Sequence, residues 1–208
     1  MGAFVVTLLG AESTGKSTLA VALAERLRAQ GRHAVMVPEA LREFCDRSGR
    51  TPQAHEQAGI AAEQTRRIAA AAGTHEIVVA DTSALMIAVY SEIVFGDRGL
   101  YAQALADHAR ADLTLLTALD LPWQADGLMR DGPHVREPVD ALVRSALGAA
   151  GLPFSIVAGR GERRVEAAWA ALERARSGTR PEAVNARWHW VCERCGDADC
   201  ERHRLPRG

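Results

Sequence analysis

Neither sign of charge dominates this sequence: 25 Lys and Arg side chains stand against 26 Asp and Glu, for a formal net charge of -1. That balance excludes a general electrostatic pull toward nucleic acid or an anionic membrane, so any anion must be bound locally. No apolar run approaches the roughly 18 residues that would span a bilayer, and Met1 to Ala11 lacks the basic start and cleavage site of a secretory signal. The expectation is a cytoplasmic protein with no membrane partner. Cysteine is scarce and clustered, with Cys45 alone and Cys192, Cys195 and Cys200 crowded near the end; a secreted disulfide framework would spread them through the chain. Internal repeats are also lacking. Rarest of all is lysine: Lys16 is the only one, and arginine supplies every other strongly basic side chain.

What is present suffices for one core. With 208 residues, 48% of them hydrophobic, one main domain is expected. Phe4 to Leu9 is a short apolar, β-branched run that stops at glycines, as a strand buried on both faces does. From Lys16 the period changes to Leu19, Leu23 and Leu27, a helical stripe closed by Gly31. Further strands are predicted over Ala34 to Val37, Ile77 to Ala80, Leu113 to Thr117 and Phe154 to Ala158. Between them fall a helix opened by Thr51-Pro52 with Ile60, Gln64 and Ile68 on one face, and an unusually apolar helix from Ser83 to Val94. Helices follow near Tyr101 to Ala111, around Val139, Leu142, Val143 and Leu147, and around Val165, Trp169 and Leu172. Strands alternating with helices predict an α/β fold: a five-stranded parallel sheet covered by helices on both faces, with ligands at the carboxyl ends of the strands. The domain is expected over residues 1–177, a polar linker over 178–186 and a separate Cys/His-rich module over 187–208.

The most informative stretch is Gly10-Ala11-Glu12-Ser13-Thr14-Gly15-Lys16-Ser17, a complete Walker A pattern between a predicted strand and a predicted helix. Its glycines let backbone N–H groups close around a β-phosphate without obstruction by side chains, and the helix adds its dipole. Lys16 is expected on the β- and γ-phosphate oxygens of ATP, and the Ser17 hydroxyl on magnesium, with Glu12, Ser13, Thr14 and Thr18 completing the nucleotide site. The lone lysine fits that assignment, because a compact ammonium is not interchangeable with a guanidinium fork.

A phosphate loop alone suits a switch GTPase, a motor ATPase, a non-catalytic ATP-sensing module or a kinase of a nucleoside or nucleotide, and three further features favour phosphoryl transfer to a small-molecule acceptor. Glu39 lies just after the second strand, with Arg42 three residues on, so both face the cleft from one turn of helix; Glu39 would orient or deprotonate an acceptor hydroxyl. Asp81 ends the third strand, where its carboxylate would bind magnesium directly or through water, or else cap the next helix. Arg130 and Arg136 flank the irregular loop Asp120 to Pro133, in the position of a closing lid that brings a cation to the γ-phosphate. Trp123 in that loop would either stack on a flat heterocycle or anchor the loop to the core. Tyr90, and after it Gln64, are weaker candidates of the same kind.

These residues carry a resemblance. The run Gly10 to Thr18, then Glu39 to Arg42, Asp81-Thr82 and above all Asp120-Leu121-Pro122-Trp123-Gln124-Ala125-Asp126-Gly127-Leu128-Met129-Arg130 resembles the ribosylnicotinamide kinase domain of the bacterial NadR-type NAD biosynthesis proteins, over residues 3 to 175. The resemblance implies transfer of the ATP γ-phosphate to the 5′-hydroxyl of nicotinamide riboside, giving nicotinamide mononucleotide. It also implies that Trp123 and Asp126 belong to the lid or the substrate pocket. Two departures stand out. No histidine lies in the His-x-Gly-His setting of the adenylyltransferase domain that larger members carry, which implies the kinase step alone. The cysteine tail is the other.

In that tail, Cys192-x-x-Cys195-x-x-x-x-Cys200-x-x-His203 offers four ligands with the spacing of a closed tetrahedral zinc site, with His189 as an alternative fourth ligand. A segment this short cannot bury a core, and zinc would supply the missing stability. Asp197, Asp199 and Glu201 would repel phosphates, which argues against a nucleic-acid knuckle.

Overall fold

The computed structural model describes residues 2–124 and 132–178. Its sheet has five parallel strands, β1 (Phe4–Leu9), β2 (Ala34–Val37), β3 (Ile77–Asp81), β4 (Leu113–Thr117) and β5 (Ser155–Val157), in the order β2-β3-β1-β4-β5. The helices are α1 (Lys16–Ala29), α2 (Ala40–Ser48), α3 (Gln57–Ala72), α4 (Ala84–Phe95), α5 (Tyr101–His108), α6 (Arg136–Ala149) and α7 (Glu162–Arg176). Alternation along β1 sends Val6 and Leu8 to one face, where they meet Leu19, Leu23 and Leu27 of α1 and Trp169 and Leu172 of α7. Leu9 faces the other way, into Leu85, Met86 and Val89 of α4 and Val139, Val143 and Leu147 of α6. The apolar helix α4 is buried from Ala84 through Val89 because it lies between α3, α5 and α6.

Most expected elements form where their periodicity places them, and the differences have local causes. Thr51-Pro52 does not open α3. The chain there stays extended, passes through a 3-10 turn at Ala54–Glu56 whose start is held by a Gln53–Glu56 capping box, and becomes α-helical only at Gln57. Helix α5 stops at His108, short of Ala111, where i,i+3 turn bonds from Arg110 N to Asp107 O and from Ala111 N to His108 O replace the helical ones. Strand β5 is shorter than Phe154 to Ala158, since Phe154 packs against the α6 cluster. The helix expected to carry Glu39 and Arg42 after β2 is the nine-residue α2, with Glu39 as its N-cap and left-handed Gly49 at its end. Among the described residues no helix is long and apolar enough to cross a membrane.

With β1 between β3 and β4, successive connections leave in opposite directions at the centre of the sheet. That arrangement opens a crevice at the carboxyl ends of the strands, where the Gly10 loop, Glu39 and Asp81 all begin.

Candidate active site

The phosphate loop follows β1 directly. Gly10 has φ 143 and its missing side chain makes room for β4: a Cβ there would lie 2.1 Å from Thr117 Oγ1. Gly15 adopts φ 76 as the N-cap of α1 and makes no side-chain cap, so the first N–H groups of that helix are left for a ligand. Ser13 also has positive φ, at 53. Below the loop the Thr117 hydroxyl donates to Thr14 Oγ1 at 2.7 Å and lies 3.1 Å from the Leu9 carbonyl oxygen, while Thr14 Oγ1 donates to the Ala11 carbonyl at 2.7 Å. Ser13 is joined to Gln124 reciprocally, its Oγ donating to the Gln124 carbonyl at 2.8 Å and accepting from Gln124 N at 2.9 Å.

Arg164 of α7 completes the support. It is almost wholly buried, donates through Nη2 to the Thr14 carbonyl at 2.8 Å, and through Nη1 to the Gly159 carbonyl at 2.7 Å and Asp120 Oδ1 at 2.8 Å. Burial alone would raise the Asp120 pKa, but the Arg164 guanidinium and the Gly159 N–H hold it below the ordinary carboxylate value.

Above the loop lies a cleft of about 730 Å³. Residues 12–18 line one end, and Glu39, Arg42, Asp81 and Tyr90 line it further along, so the structure brings these candidates together. Lys16 Nζ donates to the Ala11 carbonyl at 2.9 Å. Burial pulls its pKa below the ordinary lysine value, with Glu39, then Asp81 and, less strongly, Glu12 opposing that pull and Arg42 adding to it. Glu39 is the N-cap residue of α2 yet makes no side-chain cap bond to it, and lies 3.9 Å from Arg42 Nε. Asp81 does not cap α4 either. Ser83 performs that task, its Oγ accepting from Leu85 N at 3.3 Å, while Asp81 is buried with Oδ1 lacking a hydrogen-bond partner. A buried orphan carboxylate oxygen in the same cleft as the Ser17 hydroxyl is the donor chemistry a hard divalent cation takes.

The turn that carries Asp81 is held from below. Thr82 has φ 82, a costly conformation for a β-branched residue. Its carbonyl accepts from Gln64 Nε2 at 3.5 Å, whose Oε1 accepts from Ala40 N at 2.7 Å. Gln64 is therefore a buried brace and not a wall of the cleft. Ser83 Oγ meets His108 Nδ1 at 2.9 Å, and His108 Nε2 meets Thr114 Oγ1 at 2.9 Å; burial pushes the imidazole pKa down to about 4.

Two other candidates lie elsewhere. Trp123 is not among the residues lining the cleft, and its indole Nε1 is buried without a partner. Arg136 opens α6, buried, with Nε and Nη2 unpartnered, and also lies off the cleft lining. Asp126 and Arg130 fall outside the described residues, as do Cys192, Cys195, Cys200, His203 and His189. Thr117, Arg164, His108 and Gln57, a buried residue that lines the cleft, were not singled out from the sequence pattern.

A family model described as AAA domain matches residues 5–164. The chain belongs to this AAA domain family. The match runs from β1 to the buried arginine of α7 and so spans every part of the cleft. Among solved structures, this AAA domain is similar to NadR protein in complex with NR, with TM-score 0.69 and 22% identity over 83% of this chain and 50% of that one. A thymidylate kinase from Ehrlichia chaffeensis matches at TM-score 0.58 and 15% identity over 85% and 99%. A deoxyadenosine kinase from M. mycoides matches at TM-score 0.56 and 13% identity over 82% and 99%. These likenesses show a shared fold, and the chain spans half the length of the NadR chains it resembles. Comparison with curated proteins finds no match.

Proposed function

We propose that the chain is an ATP-dependent kinase that phosphorylates the 5′-hydroxyl of nicotinamide riboside, giving nicotinamide mononucleotide. The observation that carries this reading is one cleft lined by a phosphate loop, Glu39 and Asp81 together with residues 50–54, Tyr90, Val94 and Phe95, which leave room for an acceptor. Its lining carries the carboxylates Glu12, Glu39, Glu43, Asp46 and Asp81 against Lys16, Arg42 and Arg50. Arg50 is paired with Glu56, by two bonds at 2.7 and 2.8 Å, and Glu43 with Arg67, which leaves Glu12, Glu39, Asp46 and Asp81 against Lys16 and Arg42. An acidic surplus favours an uncharged or cationic nucleoside over a nucleotide, which would bring a phosphate of its own. Nicotinamide riboside carries a cationic ring, and Tyr90 offers it an aromatic face.

In this reading the loop amides and Lys16 hold the β- and γ-phosphates, and Arg164 and Thr117 keep the loop in shape from behind. Ser17 and Asp81 would hold magnesium, which neutralises phosphate charge when bound. Glu39 takes the proton of the 5′-hydroxyl as the acceptor oxygen bonds to the γ-phosphorus and the bond to the β-phosphate oxygen breaks, releasing ADP. Arg130 and Arg136 would supply cations for the transferring group once the cleft closes on ATP, because Arg136 lies off the lining as it stands. Zinc in the tail belongs to the proposal as a separate stabilising element of residues 187–208. The test is mass spectrometry of purified protein with magnesium ATP and nicotinamide riboside. The mononucleotide is expected; its absence while another nucleoside is phosphorylated rejects the assignment.

A further inference from the structure

The acceptor end of the cleft contains a polar group that the reaction itself does not use. Gln57 is the first residue of α3, 4% exposed, and lines the cleft together with the α2–α3 connection (residues 50–54) and Tyr90, Val94 and Phe95 of α4. Its Oε1 has no hydrogen-bond partner. The contrast with Gln64, two turns on along the same buried stripe, is informative: Gln64 spends both ends of its amide on the backbone of Ala40 and Thr82. A buried carboxamide oxygen left unpaired is costly, of the order of a lost hydrogen bond, and natural structures rarely keep one that no ligand or water satisfies. The same cleft is lined by the apolar Pro52, Val94 and Phe95, which suit the flat face of a ring and carry no side-chain donor.

The geometry points to Gln57 as the residue that reads the acceptor's heterocycle, pairing its carboxamide with a primary carboxamide on the ring. This rests on the kinase reading above and names what the acceptor end selects. A carboxamide presents one acceptor and two donors, so two carboxamides satisfy each other head to tail. A ring carboxylate has no donor for Oε1 and adds a negative charge to an end already rich in carboxylates. A bare ring leaves the Gln57 amide unpaired. Sites built to hydrogen-bond a substrate group reject analogues lacking it far more strongly than apolar pockets reject a missing methylene, because the buried partner is stranded.

The experiment compares kcat/KM with magnesium ATP for three pyridine nucleosides, bearing a 3-carboxamide, a 3-carboxylate or no substituent, on wild type, Gln57→Leu and Gln57→Glu. Wild type is expected to prefer the carboxamide over each analogue by at least about tenfold. Gln57→Leu should bring the carboxamide-to-bare-ring ratio close to one. Gln57→Glu, which keeps acceptors and loses donors, should retain part of that ratio and disfavour the carboxylate further. A role for Gln57 in folding alone would lower all three acceptors together and leave the ratios as in wild type, and that result overturns the inference. If wild type uses no pyridine nucleoside but phosphorylates another, the proposed acceptor fails. Gln57 is then judged on that nucleoside against its analogue lacking an exocyclic N–H, and an unchanged ratio in Gln57→Leu overturns its role independently. Absence of any phosphorylated nucleoside overturns both.

Discussion

Replacing Gly10 by alanine tests whether the phosphate loop is shaped by the contact between the ends of β1 and β4. The new methyl would lie 2.1 Å from Thr117 Oγ1 and 3.2 Å from both the Thr117 carbonyl oxygen and Thr14 Oγ1. Thr117 has little room to yield, since it is wholly buried and tied at 2.7 Å to Thr14. Two costs combine. Holding alanine at φ 143 costs on the order of 1 to 3 kcal/mol, and displacing a buried hydroxyl from its partners costs about 1 to 3 kcal/mol more. Gly10→Ala should therefore lose roughly 2 to 6 kcal/mol, or about 4 to 24 °C in Tm for a domain of this size. Thr117→Ala alone should lose about 1 kcal/mol. The double variant removes the atom that clashes, so it should lose less than the sum of the two by about 1 to 2 kcal/mol, whatever backbone cost remains. Urea unfolding of the four proteins measures this cycle, and calorimetry with magnesium ATP shows whether the loop still binds. Additivity within about 0.5 kcal/mol, or a Gly10→Ala protein that unfolds and binds like wild type, refutes the reasoning.

Glu39→Gln keeps the side chain's shape and removes the proton acceptor, so kcat should fall by roughly 10² to 10⁴ while magnesium ATP binding persists; steady-state kinetics showing an unchanged kcat would remove Glu39 from the chemistry. Arg164→Met strands the carbonyls of Thr14 and Gly159 and should weaken magnesium ATP binding about tenfold, with a stability loss of about 1 to 3 kcal/mol. Calorimetry finding wild-type affinity contradicts a supporting role for Arg164. His108 has a folded pKa of about 4 against an ordinary 6.5, so on acidification the unfolded chain takes up the proton first. Its contribution is complete above pH 6.5 and is lost as the pH falls toward 4, by up to about 3 kcal/mol. His108→Gln should flatten that slope in urea midpoints measured at pH 5 and 7, and an equal slope in both proteins excludes it.

The strands and the loop were legible because their signals are local. Phe4 to Leu9 is continuously apolar, and the glycine spacing of residues 10–15 admits few other structures. The sheet order was open to inference only as a class, because strand neighbours are chosen by crossovers that no short window contains. Asp81 and Glu39 were findable from their places after strands. The supporting residues were harder, although each leaves a trace: Arg164 shares the stripe of Ala168 and Leu172, Gln57 that of Ile60, Ala61 and Gln64, and His108 lies one turn beyond Ala104. A polar residue at a buried helical position is the sign of a specific task. Which task depends on long-range partners, such as Thr14 for Arg164, that periodicity does not reveal. Trp123 shows the limit of composition: an aromatic residue in a loop suggests a ligand or an anchor alike, and here it lies off the cleft lining with its indole nitrogen buried.

The bond from Arg164 to Thr14 joins residues 150 positions apart. A nascent chain can make its glycine loop early, but that loop lacks its backing until α7 has been synthesised and has docked. On the kinase reading, nucleotide capture would be tied to completion of the domain, because a partly made chain would lack the finished cradle. Occupancy by nucleotide would then stabilise only molecules that have reached the end of folding.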